Sequence, residues 1–184
     1  MSYVARGGEL VRTTMITVLT ATCFWSVSPA CAQEQGSVAR RYAAALRELG
    51  EPDLAVAADT AETYRALWLR SFHERVAVRV YRRDQAYTVV TVQGTRRDST
   101  SLDPSLWDTF HLRNALKEFW NTVADGVVGL DGARWILEGR HAGRYHAVDW
   151  WSPQGDEGIE GGYRRLFLEI LSLGSVCVSP DAVY

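Results

Sequence analysis

Asp131-Gly132-Ala133-Arg134-Trp135-Ile136-Leu137-Glu138-Gly139-Arg140-His141-Ala142-Gly143-Arg144-Tyr145-His146-Ala147-Val148-Asp149-Trp150-Trp151-Ser152-Pro153 decides the fold. Two runs rich in aromatic and branched residues flank a break that ends in glycine, which is the pattern of a β-hairpin. The stretch holds three of the seven tryptophans and two of the four histidines. Candidate core and candidate chemistry therefore fall in the same place.

A register follows from the turn. His141-Ala142-Gly143 suits a three-residue loop, a type I turn closed by a left-handed residue, and Gly143 takes that conformation without a Cβ clash. Arg140 then faces Arg144, Glu138 faces His146, Ile136 faces Val148 and Arg134 faces Trp150. Side chains alternate along a strand. One face would carry Trp135, Leu137, Tyr145, Ala147 and Trp151. The other would carry Arg134, Glu138, Arg140, Arg144, His146 and Trp150 around the Ile136–Val148 pair. A four-residue loop would instead set Arg134 opposite Asp149. The first register segregates polarity better, and a slip would move the apolar set to water. Asp149 is its misfit on the apolar face, which calls for a strand end or an arginine from elsewhere.

The motifs Asp131-Gly132-Ala133, Trp135, Leu137-Glu138-Gly139, Gly143-Arg144-Tyr145-His146, Val148 and Trp151-Ser152-Pro153 resemble a family of uncharacterised exported bacterial proteins. Glu62 to His73 and Val76 to Val80 share the resemblance, which covers roughly the last two thirds of the chain. It implies a fold unit and a surface patch, and no activity.

The 184 residues suit one domain with a real core. Apolar content of 47% and charged content of 23% are ordinary globular values. A net charge of −2 argues against a nucleic-acid partner. Residues 1–32 read as a secretory signal peptide. Arg6 and Arg12 precede an apolar segment, Met15 to Val27, that is too short to span a bilayer, and Ala30-Cys31-Ala32 forms a small-residue cleavage site. The alternative is a lipid anchor through Cys31. Cleavage removes Arg6, Arg12 and Glu9, so the net charge becomes −3. It also leaves Cys177 as the one cysteine, so no internal disulfide can form. No transmembrane span is expected after cleavage.

Residues 33–61 are expected to be a helical extension, loosely docked, with a helix from Ser37 to Leu49 and a second short helix within Asp53 to Ala61. Residues 62–174 form the domain. Alternation selects strand for Thr63 to Ser71, Arg75 to Tyr81 and Tyr87 to Gln93, with Arg96 to Ser101 as a polar linker. Asp103-Pro104 opens a helix to about Trp120. After the hairpin, the acidic, glycine-rich run 154–162 reads as a mobile loop, and Tyr163 to Leu173 as a helix. Residues 175–184 read as a tail. The fold class is α+β, an antiparallel sheet of about five strands in βββ-α-ββ-α order, helices packed on one face, preceded by the signal peptide and N-terminal helix.

Glu138 opposite His146 would let a carboxylate orient an imidazole, half of an acid/base site. No nucleophile elbow, phosphate loop or metalloprotease helix accompanies the pair. His73 beside Glu74 could approach His146, but without a short ligand spacing no metal site is assigned. Trp150 beside Arg134 offers a stacking platform. The expectation is an exported protein, periplasmic or secreted. It would be a non-catalytic module that binds an envelope protein or glycan through Arg134, Glu138, His146, Trp150 and His73, with no cofactor. The alternative is a small periplasmic hydrolase using Glu138 and His146 as its acid/base pair.

Overall fold

A computed structural model describes residues 40–57, 61–109, 118–124, 127 and 129–176. The residues read as a signal peptide, residues 110–117 of the helix expected to reach Trp120, and Cys177 lie outside them. The elements in order are α1 (residues 40–48), β1 (Glu62–Arg70), β2 (Val76–Arg83), β3 (Ala86–Gln93), β4 (Arg96–Ser101), α2 (Pro104–Thr109), β5 (Ala133–His141), β6 (Arg144–Trp151) and α3 (Gly158–Leu173). The strands form one six-stranded sheet in the order β4-β3-β2-β1-β5-β6, with every neighbour antiparallel. The class is α+β.

β1 lies inside the sheet, between β2 and β5, and is buried on both faces. Its sequence Glu-Thr-Tyr-Arg-Ala-Leu-Trp-Leu-Arg mixes charged, aromatic and aliphatic residues although its middle six are all buried, which is why it reads ambiguously between helix and strand. Tyr64, Ala66 and Trp68 point to one face. There they meet Val76, Val78, Val80, Trp135, Leu137 and Val148, under α3 through Tyr163, Leu166, Phe167, Ile170 and Leu171. Trp107 of α2 packs here on Tyr87 and Tyr64, with ring centroids 5.1 and 6.1 Å apart.

The opposite face is covered too. Leu67, Ala77, Val90, Val92, Ile136 and Ala147 pack beneath Tyr42, Leu46 and Leu49 of the N-terminal segment. The helices of residues 62–174 do share one face, but α1 covers the other, so the N-terminal segment is a layer of the core and not a loose extension. Residues 54–56 form a turn, not a second short helix.

Three further expectations change. Arg96–Ser101 is strand β4, paired with β3 through six residue partners. All six of its residues are exposed, so no apolar alternation marks it, and its charges suit an unpaired sheet edge. The run 154–162 is helical from Gly158 onward. Glu160 folds back so that its Oε1 accepts from the backbone N–H groups of Gln154 and Gly155, at 2.7 and 2.9 Å.

The register also differs. Arg140 pairs with Tyr145, Gly139 with His146, Glu138 with Ala147 and Ile136 with Asp149. The hairpin has a two-residue turn, Ala142-Gly143, with φ of 49° and 76°. Positive φ at both positions matches the type I′ turn that the right-handed strand twist favours. Ala142 therefore occupies a conformation that costs an L-residue with a Cβ on the order of 1 kcal/mol. Asn adopts it more readily. Ala142 is exposed, so Ala142→Asn should stabilise the protein by about 0.5–1 kcal/mol and raise the melting temperature by about 1–4 °C. A lower melting temperature would mean that the turn is not of this type.

Candidate functional site

The one-residue shift in register separates the expected acid/base pair. In an antiparallel pair, residues directly opposite share a face. Glu138 sits with Ala147 on the α1 face, whereas His146 sits with Gly139 on the α3 face. The shared patch of Glu138 and His146 is not formed.

Glu138 belongs instead to a buried ionic cluster. Arg65, on the adjacent strand, donates from Nε and Nη2 to Glu138 Oε2 at 2.8 and 2.6 Å. Tyr145 donates its hydroxyl to Glu138 Oε1 at 2.9 Å. The Arg65 and Glu138 side chains are 0% and 2% exposed. Arg65 Nη1 reaches the Pro52 carbonyl at 2.7 Å and Glu51 Oε2 at 3.4 Å. Glu51, also buried, accepts from Arg79 Nε at 2.9 Å and Arg97 Nη2 at 3.2 Å. Arg140 donates to the Leu54 carbonyl at 2.9 Å. Burial opposes the charge on Arg65 most strongly, and Glu138 and Glu51 more than offset it, so its pKa lies above the usual arginine value. Burial, with Glu138 beside it, pushes the Tyr145 phenol far above its ordinary value, so it stays protonated and donates.

Arg134 lies on this same face. It stacks over Trp151 at 5.3 Å and stands 3.5 Å from Asp149 Oδ2. Asp149 also accepts from Arg41 at 2.9 Å and from the Tyr42 hydroxyl at 2.5 Å. The misfit carboxylate is therefore paired with arginine from α1 as well as from its own hairpin. The sequence offered one signal for the cluster: Arg65 interrupts Tyr64-Arg65-Ala66-Leu67-Trp68, where a central strand has no route to water.

On the α3 face, His146 is buried beside Phe119 and Trp120, with ring centroids at 4.9 and 5.9 Å. Its partner Gly139 makes the room, because a Cβ there would come within 2.6 Å of the Phe119 ring. His146 Nε2–H donates to the Thr122 carbonyl at 3.0 Å. Trp150 stacks on Tyr163 at 5.1 Å and donates from Nε1 to the Val123 carbonyl at 3.0 Å. Two side chains of edge strand β6 thus hold consecutive carbonyls of segment 118–124. Between that segment and the N-terminal half of α3 opens a cleft of about 740 Å³, lined by Phe119, Val123, Leu137, Trp150, Ile159 and Tyr163. Val123 and Ile159 are 72% and 70% exposed, a large fraction for branched apolar side chains. Glu118 and Arg165 supply charge to the lining.

His73 lies in the exposed turn after β1. It is past Arg70, whereas His146 is level with Gly139 and so with Tyr64. At about 3.3 Å per strand residue the two histidines are roughly 20 Å apart. They do not converge. Among the described residues no group of three His, Cys, Asp or Glu side chains is arranged to hold a metal ion. No family model, curated protein or solved structure matches the chain.

Two outcomes are expected. Glu138→Ala leaves the buried Arg65 with only Glu51 and the Pro52 carbonyl on Nη1, its Nε and Nη2 unpaired, and should cost about 3 kcal/mol or more in urea unfolding. The double change Arg65→Met with Glu138→Leu should cost clearly less than the two single changes added together. Additive losses would show that the pair is not coupled. Burial lowers the pKa of His146 from its ordinary value, against the raising effect of the Thr122 and Phe119 carbonyls. The unfolded chain therefore takes up this proton first as pH falls below about 6.5, so folding stability is full above that value and declines below it. The loss of melting temperature between about pH 7.5 and about pH 5 should be smaller in His146→Gln than in the parent protein. An equal loss would exclude His146 as a contributor.

Proposed function

We propose that the protein is an exported, non-catalytic binding module whose ligand is a small, largely apolar molecule held in the cleft between α3 and segment 118–124. The cleft itself carries this reading. Its volume of about 740 Å³ falls within the range of small-molecule sites, and its walls are mainly aromatic and aliphatic with a few polar groups. Exposed Val123 and Ile159 cost free energy in water and gain by being covered. Trp150 and Tyr163 present large rigid surfaces that lose little entropy on binding.

Export rests on the basic, apolar and small-residue succession in residues 1–32 and on the resemblance to exported bacterial proteins. No helix among the described residues is long and apolar enough to cross a membrane. Hydrolysis by Glu138 and His146 gains no support from the geometry. The Glu138 oxygens are engaged by Arg65 and Tyr145, and the imidazole lies across the sheet.

An anilinonaphthalene sulfonate dye, which fluoresces in apolar clefts, tests the reading. The folded protein should bind it, with quenching or energy transfer from tryptophan. Ile159→Glu places a charge of the same sign as the dye at the cleft without disturbing buried packing and should weaken binding about tenfold, a loss of about 1.4 kcal/mol. Absence of dye binding by folded protein, or equal binding by the variant, would overturn the proposal.

A further inference from the structure

A second cavity, of about 470 Å³, lies at the other end of α3, against the β3–β4 half of the sheet. Its character is opposite to that of the cleft. Hydroxyl and amide groups from Thr91, Gln93, Thr100 and Ser175 line it, together with Trp68 and Arg70. The Arg70 guanidinium lies 4.3 Å from the centroid of the Trp68 ring, which fixes its plane against the wall. Arg70 Nη2 donates to the Glu74 carbonyl at 2.9 Å, and no ion pair among the described residues includes Arg70. Burial lowers the Arg70 pKa below its usual value and outweighs the attraction of the Glu74 carboxylate, which acts on this guanidinium through its charge without forming an ion pair with it.

A second observation points the same way. Arg70 Nε and Trp68 Nε1 are buried and have no hydrogen-bond partner, and Trp68 is 1% exposed. Both atoms are donors, and neither has an acceptor within hydrogen-bond reach. The wall is therefore short of acceptors at its Arg70 side. At its α3 side the Leu171 and Ser172 carbonyls are capped by the N–H groups of Gly174, Ser175 and Val176, and the Gly174 carbonyl takes up the Thr91 hydroxyl at 3.1 Å. These carbonyls also carry the partial negative charge of the helix C-terminus. The cavity thus has a cation and open donors at one end and hydroxyl groups at the other, with the Arg96–Asp98 ion pair also in its lining.

We infer that this cavity binds a small hydroxylated carboxylate of the sugar-acid kind. The carboxylate sits at Arg70, where a planar guanidinium offers two parallel N–H donors. The ligand hydroxyls sit among Thr91, Thr100 and Ser175, whose own hydroxyls both donate and accept. A dianion such as phosphate suits the site less well, because the helix terminus repels it at the far end. This site is independent of the apolar cleft, and either can exist without the other.

Isothermal titration of the purified protein with glucuronate and galacturonate, alongside glucose, acetate and inorganic sulfate, tests the assignment. The sugar acids should bind, and each of the other three should bind at least about tenfold more weakly. Arg70→Gln should weaken sugar-acid binding by about tenfold or more. Thr100→Tyr, at an exposed position of edge strand β4, should block the cavity while circular dichroism reports an unchanged fold. No binding of sugar acids by folded protein, equal affinity for glucose or sulfate, or undiminished binding by folded Arg70→Gln would each overturn the inference.

Discussion

The Arg65–Glu138 ion pair is the constraint on which the rest of the structure depends. Both groups project from interior strands, with no path to solvent. Removing two charges from water costs several kcal/mol per ion, and only good geometry with further hydrogen bonds offsets it. Here Glu138 Oε2 receives two guanidinium bonds from Arg65, and its second oxygen receives the Tyr145 hydroxyl. The remaining terminal nitrogen of Arg65 requires an acceptor above the sheet, and the Pro52 carbonyl supplies it. The loop after α1 is therefore held by the charge beneath it. Arg79, Arg97 and Arg140 bind the same loop from three other strands. An N-terminal segment that could have been an appendage becomes the lid of a buried polar layer.

The two faces of the sheet consequently do different work. On the α1 face, apolar contacts and ionic contacts are interleaved, and the polar groups are turned inward on each other. Such a face is well suited to specifying one docking geometry for α1 and poorly suited to receiving a ligand. The α3 face is held by aromatic and aliphatic packing, with Trp135 stacked on Phe167 at 4.5 Å and Trp68 edge-on to Trp135 at 6.0 Å. The 16 residues of α3 do not by themselves cover six strands. Space remains at both ends of α3, and both cavities are found there. Their difference in polarity follows from what each end meets: the aromatic side chains of β6 and segment 118–124 at one, the hydroxyl-bearing strands β3 and β4 at the other.

Part of the candidate site was legible in the residues. Trp150, singled out as a stacking surface, does line the apolar cleft, and His146 holds the neighbouring segment in place. Arg134 and Glu138 were grouped with them because polarity was assumed to mark a solvated face. That assumption fails when a second layer covers the sheet, since a buried face then tolerates charge provided that the charges pair. Asp149 was the residue that did not fit, and its partners Arg41 and Arg134 explain why it need not have been at a strand end. Arg70 and Trp68 were placed on a strand without a role, since a cavity between elements distant in sequence leaves no local pattern.

The sequence by itself determined the α+β class, the hairpin of residues 133–151, the three strands before it and the last helix. These follow from periodicity, β-branched and aromatic content, and turn-forming residues, all of which are local. Only the tertiary structure decided the hairpin register, the strand identity of residues 96–101 and the layer formed by residues 40–55. Register depends on which faces are covered, an exposed edge strand has no apolar pattern to read, and a buried arginine reveals its partner only when the distant loop is packed against it.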